Sequence, residues 1–413
     1  MHDFLKYRNS CALTTRLLKS EKRKNWKAFC SNLKSSHTVQ HLWSTAKRYK
    51  NCISPRKNFE NDDWFDNFCS KVAPCHVPSA SEIYPNYYSQ HSPPHVLTND
   101  FSMTELDIAI SSRKSTASGL DNISPIMLKH LPVNAIDCLL SILNNVLATQ
   151  QVPSTWTSYR VIPIPKPNSN NSFRPISLSS SIFKVFEFML KSRLDWWLES
   201  NSILHTNLFA FRKGMGTLEC LSTFIGKIYH SFNNKEFFVT TFVDIRGAFD
   251  SVNISTLISH LLSLQVPTLF CNVLSSLFKH RNLFFSFLFS ATSTRSTFSG
   301  LPQGNCLSSI LFNVYMSIVA KHLSSLGHQC LIYANDLVIF TSNKHFILAI
   351  ENINLALKDL SEILIKVSFE IAPEKSKSVI FTRRRNIMGY VRSTPCPAIE
   401  VEALCPPFNI RCR

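Results

Sequence analysis

Glycine is nearly missing from this chain. Nine of its 413 residues are glycine, against roughly 7% in an average globular protein. Six of the nine, Gly119, Gly214, Gly216, Gly247, Gly300 and Gly304, lie in short polar or turn-rich segments between apolar runs, where backbone geometry or close approach demands the residue. Paired metal-binding cysteines are missing too. Thirteen cysteines are scattered with no CxxC pair, which argues against a disulfide framework and for mostly free thiols in a reducing setting. Cys69, Cys75 and His76 could recruit zinc, as could Cys396, Cys405 and Cys412, but their spacings fit no standard finger and they read as incidental. The start, Met1-His2-Asp3-Phe4-Leu5-Lys6, lacks the apolar core of a secretion signal, so an intracellular place, cytoplasmic or nuclear, is expected. No long apolar run is intact: the stretch from Leu269 to Ala291 is broken by Lys279-His280-Arg281, and no membrane association is expected.

What is present is a globular composition with a strong positive bias. Apolar residues make up 45% and charged residues 17%, which excludes a disordered chain. The length suits two or three subdomains around a sizeable core. The net charge is +17, and a polyanion is the partner such a charge favours over a merely solvated surface. The charge is concentrated: residues 1–60 carry 14 Lys and Arg against 3 Asp and Glu, or +11, leaving 30 against 24, or +6, for the rest.

Residues 1–72 read as helical and basic. Residues 74–95 hold Pro74, Pro78, Pro85, Pro93 and Pro94 and read as a linker. Ser102 with Glu105 three residues on is a capping-box signature for a new helix. Residues 123–150 read as one helix. Arg160 to Pro167 is an extended run ending on a lysine. Ile182, Val185, Phe186, Met189, Leu190, Leu194, Trp197 and Leu198 form an apolar stripe at 3–4 spacing, a clear amphipathic helix. Phe237 to Val243 is an unbroken strand-like run that stops at Asp244, as a buried central strand would. Ser255 opens a helix; Leu283 to Phe289 and Thr294 to Phe298 suit a hairpin. Gly300-Leu301-Pro302-Gln303-Gly304 leads into a further helix. Leu331-Ile332 and Leu337 to Phe340 flank Tyr333-Ala334-Asn335-Asp336 as two strands around a polar tip. A helix from about 345 to 366 and a short strand at Val379 to Phe381 follow. This order predicts an α+β fold with helices on one face of a sheet.

Asp244 and Asp336 are two carboxylates at the ends of buried strands. A buried acid is costly unless paired or bound to a cation. Side by side, the two would offer hard oxygen ligands suited to Mg²⁺, and two such cations can stabilise the entering and leaving oxygens of a phosphoryl displacement. Taken alone, each Asp could equally cap a turn.

The ordered motifs resemble the reverse transcriptase domain of non-LTR, LINE-like retrotransposons of the jockey type. The matching pieces are Ser118-Gly119-Leu120-Asp121, Val161-Ile162-Pro163-Ile164 with Lys166-Pro167, Arg174-Pro175-Ile176-Ser177-Leu178, and Phe209-Ala210-Phe211-Arg212-Lys213-Gly214. Asp244-Ile245-Arg246-Gly247-Ala248-Phe249-Asp250-Ser251-Val252, Gly300 to Gly304, Tyr333 to Asp336, and Pro373-Glu374-Lys375-Ser376 complete the series. The resemblance covers about residues 100–385 and implies a right-hand polymerase with fingers, an antiparallel palm sheet and a thumb that is largely missing here. It divides the chain into a basic helical spacer (1–73), a Pro-rich linker (74–100), fingers and palm (101–385) and an irregular tail (386–413). It implies two-metal nucleotidyl transfer with Mg²⁺, Mn²⁺ being a substitute, on an RNA template and DNA primer with dNTPs. Position by position, it makes Asp244, Asn335, Asp336 and Lys375 the catalytic set, with Asp244, the Ile245 carbonyl and Asp336 on the metal. Lys166, Arg174, Ala248, Phe249, Gln303 and Gly304 would bind the dNTP, the Phe249 ring excluding a 2′-hydroxyl.

The chain departs from the family pattern at several positions. It has Asn335 for Asp, Ala210 for Gly, Leu208 near an expected Gln, Ser309 for the usual Pro and Ala372 for Asn. Endonuclease and RNase H domains are not recognisable, and a truncated, drifting copy is expected. Asn335 is the gravest change, because an amide brings no negative charge to a site that must hold cations. Two readings therefore stand: an impaired RNA-directed DNA polymerase, or an inactive remnant that only binds nucleic acid.

Overall fold

A computed structural model describes residues 63–73, 95–113, 116–166, 173–287 and 291–383, with scattered positions between 16 and 31. The chain divides into two units, Met1–Asp62 and Asp63–Arg413. Most of the basic arm, nearly all of the Pro-rich linker and the tail lie outside the described residues. The larger unit begins with a helix ahead of the boundary read at residue 73. This helix, α1 (Asp63–Val72), buries Phe65, Phe68 and Cys69 in the main core.

The helices that follow are α2 (Met103–Ser111), α3 (Pro125–Lys129) and α4 (Val133–Thr149). Ser102 does close a capping box with Glu105. The single helix read over 123–150 is two, because Pro132 cannot continue α3 and instead caps α4. Next come β1 (Ser158–Pro165), β2 (Phe173–Leu178) and α5 (Ser181–Ser200), whose apolar stripe is buried from Phe183 to Leu198.

β4 (Arg281–Phe287) and β5 (Ala291–Thr297) join β1 and β2 in a four-stranded sheet of order β2-β1-β4-β5. β1 runs antiparallel to β2 and parallel to β4. Its pairing with β4 stops at Val161, so Pro163 and Pro165 fall where β1 needs no donor on that side.

The second sheet is β6 (Gln329–Tyr333), β7 (Asp336–Asn343), β3 (Phe237–Asp244) and β8 (Lys377–Phe381), in the order β6-β7-β3-β8 and antiparallel throughout. β3 alternates between two cores. Val239 and Val243 enter the main one, while Phe238 joins Phe209, Ile228, Leu331 and Phe340 in a smaller one. The main-core side carries α9 (Cys306–Ser325) and α10 (Phe346–Lys366); the other carries α6 (Thr217–Asn233). The expectation of helices on one face is thus corrected. β3 carries apolar residues or threonine up to Asp244 and is buried at six of its eight positions, on both faces, and such a strand needs cover on both sides.

Two helices, α7 (Ile254–Ser263) and α8 (Thr268–Phe278), complete the fold. α7 starts at Ile254, one residue before the expected Ser255, because the Asn253 side chain accepts from the Thr256 N–H. The apolar stretch from Leu269 contributes to α8 and β4. α9 is long and apolar enough to cross a membrane by length and composition, and most of it is buried inside the protein.

Candidate active site

β3 ends and β7 begins at the same level of the sheet. Their register places Asp244 opposite Asp336, so the two carboxylates leave the same face side by side. Partial burial, and then the negative charge of Asp244, push the Asp336 carboxyl above its ordinary value. The Lys375 ammonium lies 3.3 Å from Asp244 Oδ2. The tip joining β6 to β7 is the two-residue turn Ala334-Asn335, since Tyr333 pairs with Asp336. Ala334 takes φ +56°, a left-handed conformation that costs a residue with a side chain about 1 kcal/mol. Asn335 is thus held beside the carboxylate pair by a tight turn.

The end of β3 is fixed from the side of residues 370–376. The Ala372 N–H donates to the Asp244 carbonyl at 2.8 Å. The Asp244 N–H donates to Ser376 Oγ at 3.2 Å, and that hydroxyl donates to the Ala372 carbonyl at 2.9 Å. Ile245, buried, forms an isolated bridge with Ile371. Arg246 closes the arrangement by donating to both Glu370, at 2.5 Å, and Glu374, at 2.9 Å.

A second cluster surrounds the segment 299–305. Phe249 is partly buried and stacks on Phe312, ring centroids 4.3 Å apart; Ala248 is buried. The Gln303 carbonyl accepts from the Ser177 N–H of β2 at 2.8 Å. Gly304 has φ +119°, and a Cβ there would stand 3.0 Å from the Ser177 carbonyl oxygen, so close backbone approach and left-handed geometry both require glycine. The Gln303 Nε2 donates to Asp250 at 3.3 and 3.4 Å. Lys166, exposed at the end of β1, is near enough for its charge to act on the Asp250 carboxyl. Arg174 is exposed on β2 opposite Ile164.

Asp244, Ile245, Asn335, Asp336 and Lys375 are therefore brought together, and Ala248, Phe249, Gln303 and Gly304 form a neighbouring set with Lys166 at its edge. Among the described residues, no bond ties Arg174 to either set. Asp250, Arg246 and Ser376 belong to quoted motifs, yet nothing in those motifs assigned them a task; an acid shortly after an apolar strand and its turn was the available signal for Asp250. Four of the five departures are absorbed by packing. Leu208, Ala210 and Ala372 are buried, and the Ser309 hydroxyl bonds the Cys306 carbonyl inside the first turn of α9. Asn335 alone changes the charge of the site. Among the described residues, no three His, Cys, Asp or Glu side chains gather where a metal ion could sit. Cys69 is a core residue, and Cys75, His76, Cys396, Cys405 and Cys412 lie outside the described residues.

Residues 164–392 match the family described as reverse transcriptase (RNA-dependent DNA polymerase). The chain is similar to the probable RNA-directed DNA polymerase from transposon BS of Drosophila melanogaster, with 30% identity over 64% of the chain and 30% of that protein. It is similar to the probable RNA-directed DNA polymerase from transposon X-element of the same species, 27% identical over 70% of the chain and 33% of the relative. It also resembles the RNA-directed DNA polymerase from mobile element jockey of that species, 25% identical over 86% of the chain and 42% of the relative. The chain thus spans well under half the length of these relatives.

Proposed function

The chain belongs to the reverse transcriptase family, in the branch carried by non-LTR transposons, and from that premise we propose that it adds dNTPs to a DNA primer on an RNA template, at a rate reduced by Asn335. The sheet β6-β7-β3-β8 is the palm in this reading, and the sheet β2-β1-β4-β5 with its flanking helices belongs to the fingers. The observation that carries the proposal is the cross-strand pairing of Asp244 with Asp336.

The donor set fits a hard divalent cation. Partial burial, and then the charge of Asp244 beside it, oppose ionisation of Asp336, a cost that a cation would offset. Asp244, Asp336 and the Ile245 carbonyl would hold Mg²⁺, or Mn²⁺ in its place, with Asn335 adding a neutral oxygen. A bound cation would supply charge stabilisation for the phosphoryl oxygens of the incoming nucleotide. Lys375, already beside Asp244, carries positive charge toward the same place. Ser376 and Ala372 keep the end of β3 from shifting, so Asp244 keeps its orientation without a ligand. Phe249, rigid against Phe312, offers a flat wall on which a sugar with a 2′-hydroxyl would crowd.

One missing carboxylate weakens the hold on cations, and every 1.36 kcal/mol lost from the transition state is about tenfold in rate. The alternative reading, a remnant that binds nucleic acid without extending it, is favoured by that same amide and by the lack, among the described residues, of a third metal-binding side chain. Single-nucleotide addition on a homopolymeric RNA template with saturating DNA primer separates the two. Asn335→Asp is expected to raise addition by two or more orders of magnitude, estimated from lost transition-state charge stabilisation, and Asp244→Asn to abolish it. Equal rates for the natural chain and Asn335→Asp would show that the amide suffices. No addition by either would favour the remnant.

A further inference from the structure

The turn after β3 and the segment before α9 are strapped together by backbone bonds. The Leu301 N–H donates to the Phe249 carbonyl and the Gly300 N–H to the Val252 carbonyl, both at 2.7 Å. A Cβ on Gly300, whose φ is +82°, would stand 2.6 Å from the Asp250 carbonyl oxygen, so the two backbones are in direct contact. The Arg281 guanidinium, buried at the start of β4, holds the carbonyls of Ser299 and of Gly300, the latter at 2.9 Å. Within this rigid frame both carboxylate oxygens of Asp250 face the Gln303 Nε2, at 3.4 and 3.3 Å.

A carboxylate can only accept hydrogen bonds. The Gln303 amide must therefore turn its NH₂ toward Asp250, which leaves Oε1 as the free end of the side chain. We propose that Asp250 is a positioning residue that locks the Gln303 amide in this sense, so that Gln303 meets the nucleotide as a hydrogen-bond acceptor and selects for a donor, a sugar hydroxyl. This rests on the reverse transcriptase reading for its ligand, and on the geometry alone for the lock. Phe249, whose carbonyl carries one of the straps, places the sugar side of the nucleotide at the same turn in that reading.

The lock depends on charge. A protonated Asp250 would become a donor, and the amide would turn over to offer Oε1 to it. Burial pushes the Asp250 carboxyl up to about 6, against the opposing effects of the Gln303 bond, Arg281 and Lys166. Those three side chains, from the loop before α9, from β4 and from the end of β1, are the charged or polar groups that act on it. The lock should hold above pH 6 and invert below it.

Two measurements on the full chain test this. The first is the ¹⁵N side-chain amide resonance of Gln303, in protein labelled at glutamine and without nucleotide. It is expected to shift with a midpoint near pH 6 in the natural chain and to stay flat in Asp250→Asn. A resonance that does not move between pH 5 and 8 in the natural chain overturns the lock, and that result needs no variant to fold. The second is equilibrium binding of dTTP against its 3′-deoxy analogue, with template and primer present. At pH 7.5 the natural chain is expected to prefer dTTP by about tenfold, the worth of one hydrogen bond, and to lose most of that preference at pH 5.5. Asp250→Asn should show a small preference at both pH values. An unchanged preference and pH profile in Asp250→Asn overturns the proposal. If no variant binds either nucleotide, the reverse transcriptase reading fails, while the amide resonance still decides the lock.

Discussion

Two influences oppose ionisation of Asp336, its partial burial and then the charge of Asp244 across the strand pair. Its carboxyl is raised in the folded chain, so the folded state binds that proton more tightly than the unfolded state does. Stability from this group is present below the ordinary carboxylate value and is lost as pH rises through the raised value. At neutral pH the pair is therefore a standing cost, which a divalent cation would relieve. Asp336→Asn is expected to raise the Tm of the metal-free protein at pH 7.5. Added Mg²⁺ is expected to raise the Tm of the natural chain and leave the variant unchanged. A variant that melts lower than the natural chain without metal would show that the carboxylate is held by favourable contacts instead. Both aspartates were legible in the sequence because each stands at one end of an apolar run, Asp244 where β3 stops and Asp336 where β7 starts. Asp250 was not. Its importance comes from a bond to Gln303, 53 residues away, and no local pattern announces such a bond.

Helix α9 shows the same limit one level up. Its apolar face and its start after Gly304 could be read directly, but its cap could not. Glu187, fully buried on α5, accepts from the Leu307 N–H at 2.8 Å in the first turn of α9. Burial, opposed by backbone bonds from the α9 start and by Arg113, raises its carboxyl to about 7. Between the ordinary value and about 7 the folded state holds a proton that the unfolded state has released, so Glu187 stabilises less as pH rises across that window. The change is roughly 3 kcal/mol on the scale of 1.36 kcal/mol per pKa unit. Urea unfolding at pH 5 and 7.5 checks it: Glu187→Gln should remove most of this component of the pH dependence, because the amide mimics the neutral acid. Glu187→Ala should cost most at pH 5, about 1–3 kcal/mol, since it leaves a buried N–H without a partner, and less at pH 7.5, where the ionised carboxylate is itself a cost. Retained pH dependence in Glu187→Gln would assign it to other groups. Elements with a one-sided apolar stripe, such as α5, or an unbroken run of apolar residues and threonine, such as β3, were readable. Helix α6 was not, because Leu218, Leu221, Ile225 and Tyr229 on its exposed side blur the contrast that marks an amphipathic helix. The parallel pairing of β1 with β4, more than 110 residues apart, has no signature within either strand.

Across the whole molecule, charge is the property that local structure leaves unexplained. The unit Asp63–Arg413 spends many of its ionic groups internally: Arg193 with Glu105, Arg212 with Glu199, Arg246 with Glu370 and Glu374, and Lys375 with Asp244. Most of the excess sits elsewhere, in the +11 of residues 1–60 against +6 for the rest, and residues 1–60 fall within the separate unit Met1–Asp62. A polymerase domain must grip a template of any sequence, and phosphate contact is the sequence-independent way to do so. Each phosphate neutralised releases bound counterions, so log affinity falls linearly with log salt, by about 0.7–0.9 per contact. Binding to RNA and DNA strands of unrelated sequence is therefore expected to be nearly equal and steeply salt-dependent. Removing residues 1–62, at the boundary between the two units, should weaken binding at low salt and flatten the slope by several units. Affinities would converge at high salt, where the arm contributes little. A slope unchanged by the deletion would place the whole phosphate interface on residues 63–413. Lys166, Arg174 and Lys375 would then be the cations to remove next, and loss of slope on their replacement would tie nucleic-acid binding to the face that carries the aspartate pair.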